Sequence, residues 1–253
     1  MGFHCLATDW AIWIKEDAYI ACHVDDMMVS GTQEFLDKTF AELGKEMKLQ
    51  NLGPLSNYLG MRIQHDRINR LIFLDQSEYT KEILKEFNMQ NAASIATPMV
   101  KDQSWIGGEA LSDSKKKLYQ KIIGSLLYLM NATRSDICFA TIRLSQFTSS
   151  PTETHWAGVK KVLRYLRGTS DIQLVLGKRK VDDENIDLCG YFDSAFADLP
   201  SRRSTCGYVF FFKGSIISWE SRVQKTVALS NTEAEYMAGT EACRELKWIT
   251  SLL

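Results

Sequence analysis

The sequence predicts an α+β fold, and three observations predict it. Short runs of β-branched and aromatic residues crowd the first 75 positions; amphipathic helical periods dominate from 77 to 167; strand-like runs return from 187 and give way to one last helix. Strands and helices gathered into separate stretches are the pattern of an α+β chain.

The elements follow in order. Residues 11–15, 19–24 and 27–29 are rich in strand formers, and Ser30-Gly31 is a stop signal. A helix is expected over 33–46. Residues 58–64 and 71–74 read as a second hairpin with its loop near 66–70. Helical patterns cover 77–87, 113–132, 136–147 and 152–167. In the last of these Trp156, Val159, Leu163 and Leu166 form an apolar stripe. Lys160, Lys161, Arg164 and Arg167 lie on or beside the opposite face, and Gly168 is placed to end the helix. Residues 92–112, with Pro98 and Gly107-Gly108 as breakers, read as a linker. From 187 on, "LCGYFDSA", "CGYVFFFKG" and "SIISWES" read as three strands of an antiparallel meander, followed by a helix from Ser230 to the end.

Composition sets the outer bounds. A chain of 253 residues, 45% hydrophobic and 24% charged, buries a real core in two or more sub-domains. No apolar stretch reaches the length of a membrane span, and the N-terminus lacks the pattern of a signal peptide. The six cysteines are scattered without C-x-x-C spacing, which argues against zinc and a disulfide scaffold and suits an intracellular, cytoplasmic or nuclear setting. Thirty basic residues against 31 acidic ones leave bulk charge silent about a polyanion partner. Local basic clusters stand at Lys115–Lys117, Lys160-Lys161 with Arg164 and Arg167, Lys178–Lys180 and Arg202-Arg203.

Two places carry acids that need explaining. "YIACHVDDMMVSG" sets Asp25 and Asp26 side by side at a hairpin tip without the glycine such turns favour. The pair is either a solvated acidic turn or part of a site for a hard cation such as magnesium, which needs converging carboxylates. Alternation puts His23 on the face of Asp25. In "SNTEAEYMAGTEACRELKWITSLL" the pattern Ser230-x-x-Glu233 is a capping box, which gives Glu233 a local task. Glu235 has none, and shares a face with Ala238, Gly239, Ala242, Leu246, Ile249 and Leu253. It is either satisfied by amides and water in the first turn or shares a cation with another carboxylate, for which Asp193 is the natural candidate.

These residues also resemble a family. "HVDDMMVSG" resembles the Tyr-x-Asp-Asp hairpin of a polymerase palm, and "YLGMRI" (58–63) resembles a primer-grip hairpin, placing Tyr58 and Gly60 against nucleic acid. "YQKIIGSLLYLMNATRSDICFAT" resembles a thumb-and-connection segment, and residues 190–238 resemble the strands and first helix of ribonuclease H. The chain is similar, along nearly its whole length, to the C-terminal part of a copia-type retrotransposon Pol polyprotein. The resemblance implies a partial palm with primer-grip-like hairpin at 1–91, a linker at 92–112, a helical thumb/connection at 113–180 and a partial ribonuclease H domain at 181–253. It makes Asp25, Asp26, Asp193 and Glu235 catalytic and magnesium-binding. It makes Lys160, Lys161, Arg164 and Arg167 contacts to RNA, DNA or an RNA–DNA hybrid.

Departures from the family pattern qualify the activity. His23 stands where the family has tyrosine, Ala195 where an aspartate is common, and Asp9 in "LATDWAIW" does not match the palm's further aspartate. The expectation is a remnant, incomplete at both ends, that is catalytically inactive and holds magnesium weakly or not at all. It would pair with another Pol chain, or persist as a non-catalytic nucleic-acid-binding protein using the basic helix.

Overall fold

The computed structural model describes residues 2–15, 18–100, 105–177 and 187–253. The chain forms two compact units, Met1–Ser56 with Cys243–Leu253, and Asn57–Ala242.

The first unit is a four-stranded antiparallel sheet in the order β1-β2-β3-β4, made of β1 (His4–Leu6), β2 (Asp9–Lys15), β3 (Ala18–His23) and β4 (Asp26–Ser30). Helix α1 (Gln33–Glu46) has the expected bounds; the Thr32 hydroxyl accepts the Phe35 amide at 3.3 Å, and Glu34 and Lys45 suit the two ends of the helix dipole.

The second unit opens with β5 (Asn57–Tyr58), β6 (Met61–Asp66) and β7 (Leu71–Asp75). The strand expected over 58–64 is broken: Leu59 and Gly60 both have positive φ, 49° and 72°, and pair Tyr58 with Met61 across a two-residue turn. Helices α2 (Ser77–Glu86), α3 (Asp113–Ala132), α4 (Cys138–Ser145) and α5 (Glu153–Gly168) follow. The helix expected over 136–147 begins as a 3-10 turn, Ser135–Ile137. Strand β8 (Leu174–Gly177), not anticipated, returns after α5 to pair with β7 and complete the order β5-β6-β7-β8.

The core lies among these helices, where Tyr119, Ile122, Leu126 and Leu129 of α3 meet Leu144, Val159, Leu163 and Leu166, all nearly inaccessible to water. The described part of the expected linker is fastened to α5. Trp105 is buried, its main-chain carbonyl lies 3.0 Å from His155 Nε2, and Ala110 bridges to Thr152.

The expected meander is present as β9 (Leu188–Ala195), β10 (Thr205–Phe212) and β11 (Ser215–Val223), antiparallel in the order β11-β10-β9. Helix α6 (Asn231–Leu252) follows. The Ser230 hydroxyl accepts the Glu233 amide at 3.1 Å, but the Glu233 carboxylate reaches one residue further back than a capping box requires, to the Leu229 amide at 2.6 Å. The cluster Lys178–Lys180 lies outside the described residues.

Candidate nucleic-acid and metal-binding sites

Asp25 and Asp26 do not share the hairpin tip. The register pairs His23 with Asp26, so the two turn residues are Val24 and Asp25, and Asp26 is the first residue of β4. His23 therefore faces Asp26 rather than Asp25. Only Val24 has positive φ, 53°, in the pattern of a turn that normally takes glycine first. A β-branched residue there is strained, and its side chain is 90% exposed. Both aspartates are exposed.

Asp193 is exposed on β9 and lines a groove of about 530 Å³ with Asp136, Cys138, Phe139, Asp198 and Trp219. The neighbouring acids are already engaged: Asp136 with Arg134, and Asp198 with the Thr205 amide and hydroxyl and with Arg143. Asp193 accepts its neighbour's amide, from Ser194, at 2.9 Å.

Glu235 is half-buried on α6 and does not line that groove. The reason is strand alternation. A Cβ on Gly239 of α6 would sit 3.2 Å from the Phe192 ring, so the Phe192 face of β9 is turned to the helix. Asp193, one residue on, points from the other face, the one it shares with Trp219, whose indole N–H donates to the Met130 carbonyl at 2.8 Å. The helix does bury Ala238, Ala242 and Ile249 of the expected face, together with Ala234, whereas Leu246 and Leu253 are exposed.

Among the described residues no group of three or more His, Cys, Asp or Glu side chains is placed to hold a metal ion. Asp25 with Asp26 thus offers two carboxylates, and Asp193 and Glu235 lie on different faces of their sheet. Magnesium takes near-octahedral oxygen coordination, and neither place fits it as a complete ligand set.

The basic residues of α5 divide in two. Arg164 Nε donates to the Ala93 carbonyl and Arg167 Nε to the Gln90 carbonyl, both at 2.8 Å, so these guanidinium groups clip the segment after α2 onto α5. Lys160 is exposed and Lys161 half-exposed. The hairpin carrying Tyr58 and Gly60 is tied at both ends. At its root Arg62 pairs with buried Asp75, which also accepts the Ser77 amide at 2.6 Å and the Gln173 amide group at 3.1 Å. At its tip the Tyr128 hydroxyl of α3 donates to the Leu59 carbonyl at 2.6 Å. Tyr128 was not singled out by sequence reasoning; its one signal is a polar-tipped aromatic in an otherwise apolar helical run.

Residues 2–101 match the family described as reverse transcriptase (RNA-dependent DNA polymerase). The chain is 38% identical over 239 residues, 91% of its length, to the retrovirus-related Pol polyprotein from transposon TNT 1-94 of Nicotiana tabacum. It is 37% identical over its whole length to the Pol polyprotein from transposon RE2 of Arabidopsis thaliana. The chain belongs to the reverse transcriptase family of copia-type retrotransposon Pol polyproteins. It spans 18% and 17% of the length of those two Pol relatives. An uncharacterized mitochondrial protein of Arabidopsis thaliana is 31% identical over 233 residues, covering 91% of this chain and 93% of that protein. No solved structure matches. No helix among the described residues of this Pol-family chain is long and apolar enough to cross a membrane.

Proposed function

We propose that this chain is the junction of a Pol polyprotein at which reverse transcriptase runs into ribonuclease H, and that alone it handles nucleic acid without turning it over. The observation that supports this best is the hairpin at Val24-Asp25. A strained, exposed residue displays two carboxylates with no hydrogen-bond or ion-pair partner among the described residues, and strain held in this way is a mark of functional tips. The carboxylates suit a share in a magnesium site whose remaining ligands come from elsewhere, on another Pol chain or another part of the polyprotein. Two carboxylates fall short of what a two-metal centre takes, which is the ground for inactivity in isolation. Asp193 and Glu235, set on different faces of the β9–β11 sheet, likewise fall short of the converging acids that RNA strand cleavage takes. The substrates in this reading are RNA, DNA and their hybrid, in an intracellular setting.

Primer extension on an RNA template with magnesium or manganese, and cleavage of a labelled RNA–DNA hybrid, test the proposal. No product is expected from the chain alone. Metal-dependent turnover that disappears in Asp25→Asn or Asp193→Asn would overturn it. The non-catalytic reading of α5 rests first on exposed Lys160 and half-exposed Lys161, since Arg164 and Arg167 each spend their Nε on a carbonyl. Hybrid affinity should fall with salt and fall again in Lys160→Glu/Lys161→Glu; an unchanged affinity excludes that face.

A further inference from the structure

The tip of the hairpin 57–66 holds a second feature beyond its likeness to a primer grip. Leu59 and Gly60 are both left-handed, and the Gly60 Hα side lies so close to Tyr128 that any Cβ there would overlap the phenolic oxygen. That same oxygen donates to the Leu59 carbonyl at 2.6 Å. The hydroxyl therefore occupies the space left by the missing side chain and fixes the peptide on either side of it. The ring is held in turn: Tyr79 of α2 meets Tyr128 edge-on, with centroids 4.9 Å apart and planes at 87°. Lys121, two turns earlier on α3, pairs with Glu86 of α2, so the two helices that carry the rings are bound to each other. Gly60 itself is exposed, leaving the outer side of the turn open to a ligand.

We infer that Tyr128 is a positioning residue for duplex nucleic acid: its hydroxyl sets the Leu59-Gly60 peptide so that the outer face of the turn meets the sugar–phosphate backbone. The inference rests on the reading that the hairpin touches nucleic acid. Tyr128 does not itself touch the duplex; it acts through the turn. Tyr128→Phe removes one hydrogen bond while keeping the edge-on ring contact, so the fold should survive and the turn should loosen.

The test uses the whole chain carrying a photo-cross-linking amino acid at exposed Asn57, with a fluorescent RNA–DNA hybrid. In the parent chain, cross-linking to the hybrid is expected. In Tyr128→Phe, affinity should drop about fivefold, the size of one ordinary hydrogen bond, with cross-linking scattered to new nucleotides and a melting temperature lowered by no more than a few degrees. Gly60→Ala should weaken binding too, and because both changes act on one contact the double variant should bind no worse than Gly60→Ala alone. That comparison decides the matter if Tyr128→Phe proves less stable. Parent-like affinity and cross-linking in Tyr128→Phe, or strictly additive losses in the double variant, overturn the role of Tyr128 and leave the hairpin reading standing. No cross-link from the parent chain removes the hairpin reading, and the inference with it.

Discussion

Asp75 shows how a single carboxylate can fasten three segments. It is buried at the end of β7, accepts the first amide of α2, receives Gln173 from the segment before β8, and pairs with Arg62 of β6. Burial pushes its carboxyl upward, but the bonds from Arg62, Ser77 and Gln173 outweigh that and hold it at about 2, against 3.8 for an unperturbed aspartate. The folded value is the depressed one, so the stabilisation is complete above roughly pH 4 and is lost as the pH falls through about 2. A shift of this size corresponds to about 2 kcal/mol, less some screening because the Arg62 side chain is half exposed. Asp75→Asn should therefore lower stability by about 2 kcal/mol at pH 7 and flatten the acid limb between pH 4 and 2. Urea unfolding at a series of pH values checks this, and a variant with the parental slope in that window would contradict it.

At the scale of elements, the decisive joint is at the end of α3. Arg134 is fully buried, forks onto both oxygens of Asp136 at 3.0 and 2.8 Å, and donates to the carbonyl and hydroxyl of Thr169 just past α5. Tyr165 adds a third bond to Asp136 at 2.8 Å. One guanidinium thus ties α3, the 3-10 turn and α5 together. Arg134→Met should cost about 1–3 kcal/mol, because the Thr169 carbonyl and the solvent-reached Asp136 carboxylate both lose a charged donor. Arg134→Lys should recover little, since an ammonium cannot reproduce the fork. Full rescue by lysine in urea titrations would show that charge alone matters here. Such a joint was not legible beforehand, because nothing local marks Arg134 as buried. What was legible followed local rules: α1 from its capping threonine and end charges, the meander from its spaced β-branched and aromatic runs. The misreadings share one physical cause, that long-range placement overrides local pattern. The Val24-Asp25 turn depends on which residues of β3 and β4 pair, and β8 is four residues whose partner strand lies a hundred positions earlier. The Nε groups of Arg164 and Arg167 donate to carbonyls 71 and 77 positions away, a structural task that no local pattern announces. The separation of Asp193 from Glu235 likewise depends on which face of the sheet α6 covers.

At the scale of the whole molecule, the two units differ in how much apolar surface they bury. Among the described residues the first unit buries Ala18, Ile20 and Ile249 as its apolar core, whereas the second gathers α3, α4 and α5 around a continuous cluster from Ile83 to Leu166. Apolar burial contributes on the order of 25 cal/mol per Å², so the free energy of opening should follow that division. The strained Val24 and the exposed Trp10 and Val24 side chains add nothing to hold the first sheet closed. Native-state amide exchange read by mass spectrometry should therefore show β1–β4 exchanging through openings several kcal/mol below the global one, with peptides from α3 and α5 exchanging last. If metal coordination by Asp25 and Asp26 is completed from elsewhere in a polyprotein, added magnesium alone should leave the β3–β4 peptides unprotected. A chain whose first sheet is as slow to exchange as α3, or is slowed by magnesium alone, would mean that this unit is stabilised by something other than its own buried surface, and would restore the complete metal site that two carboxylates do not supply.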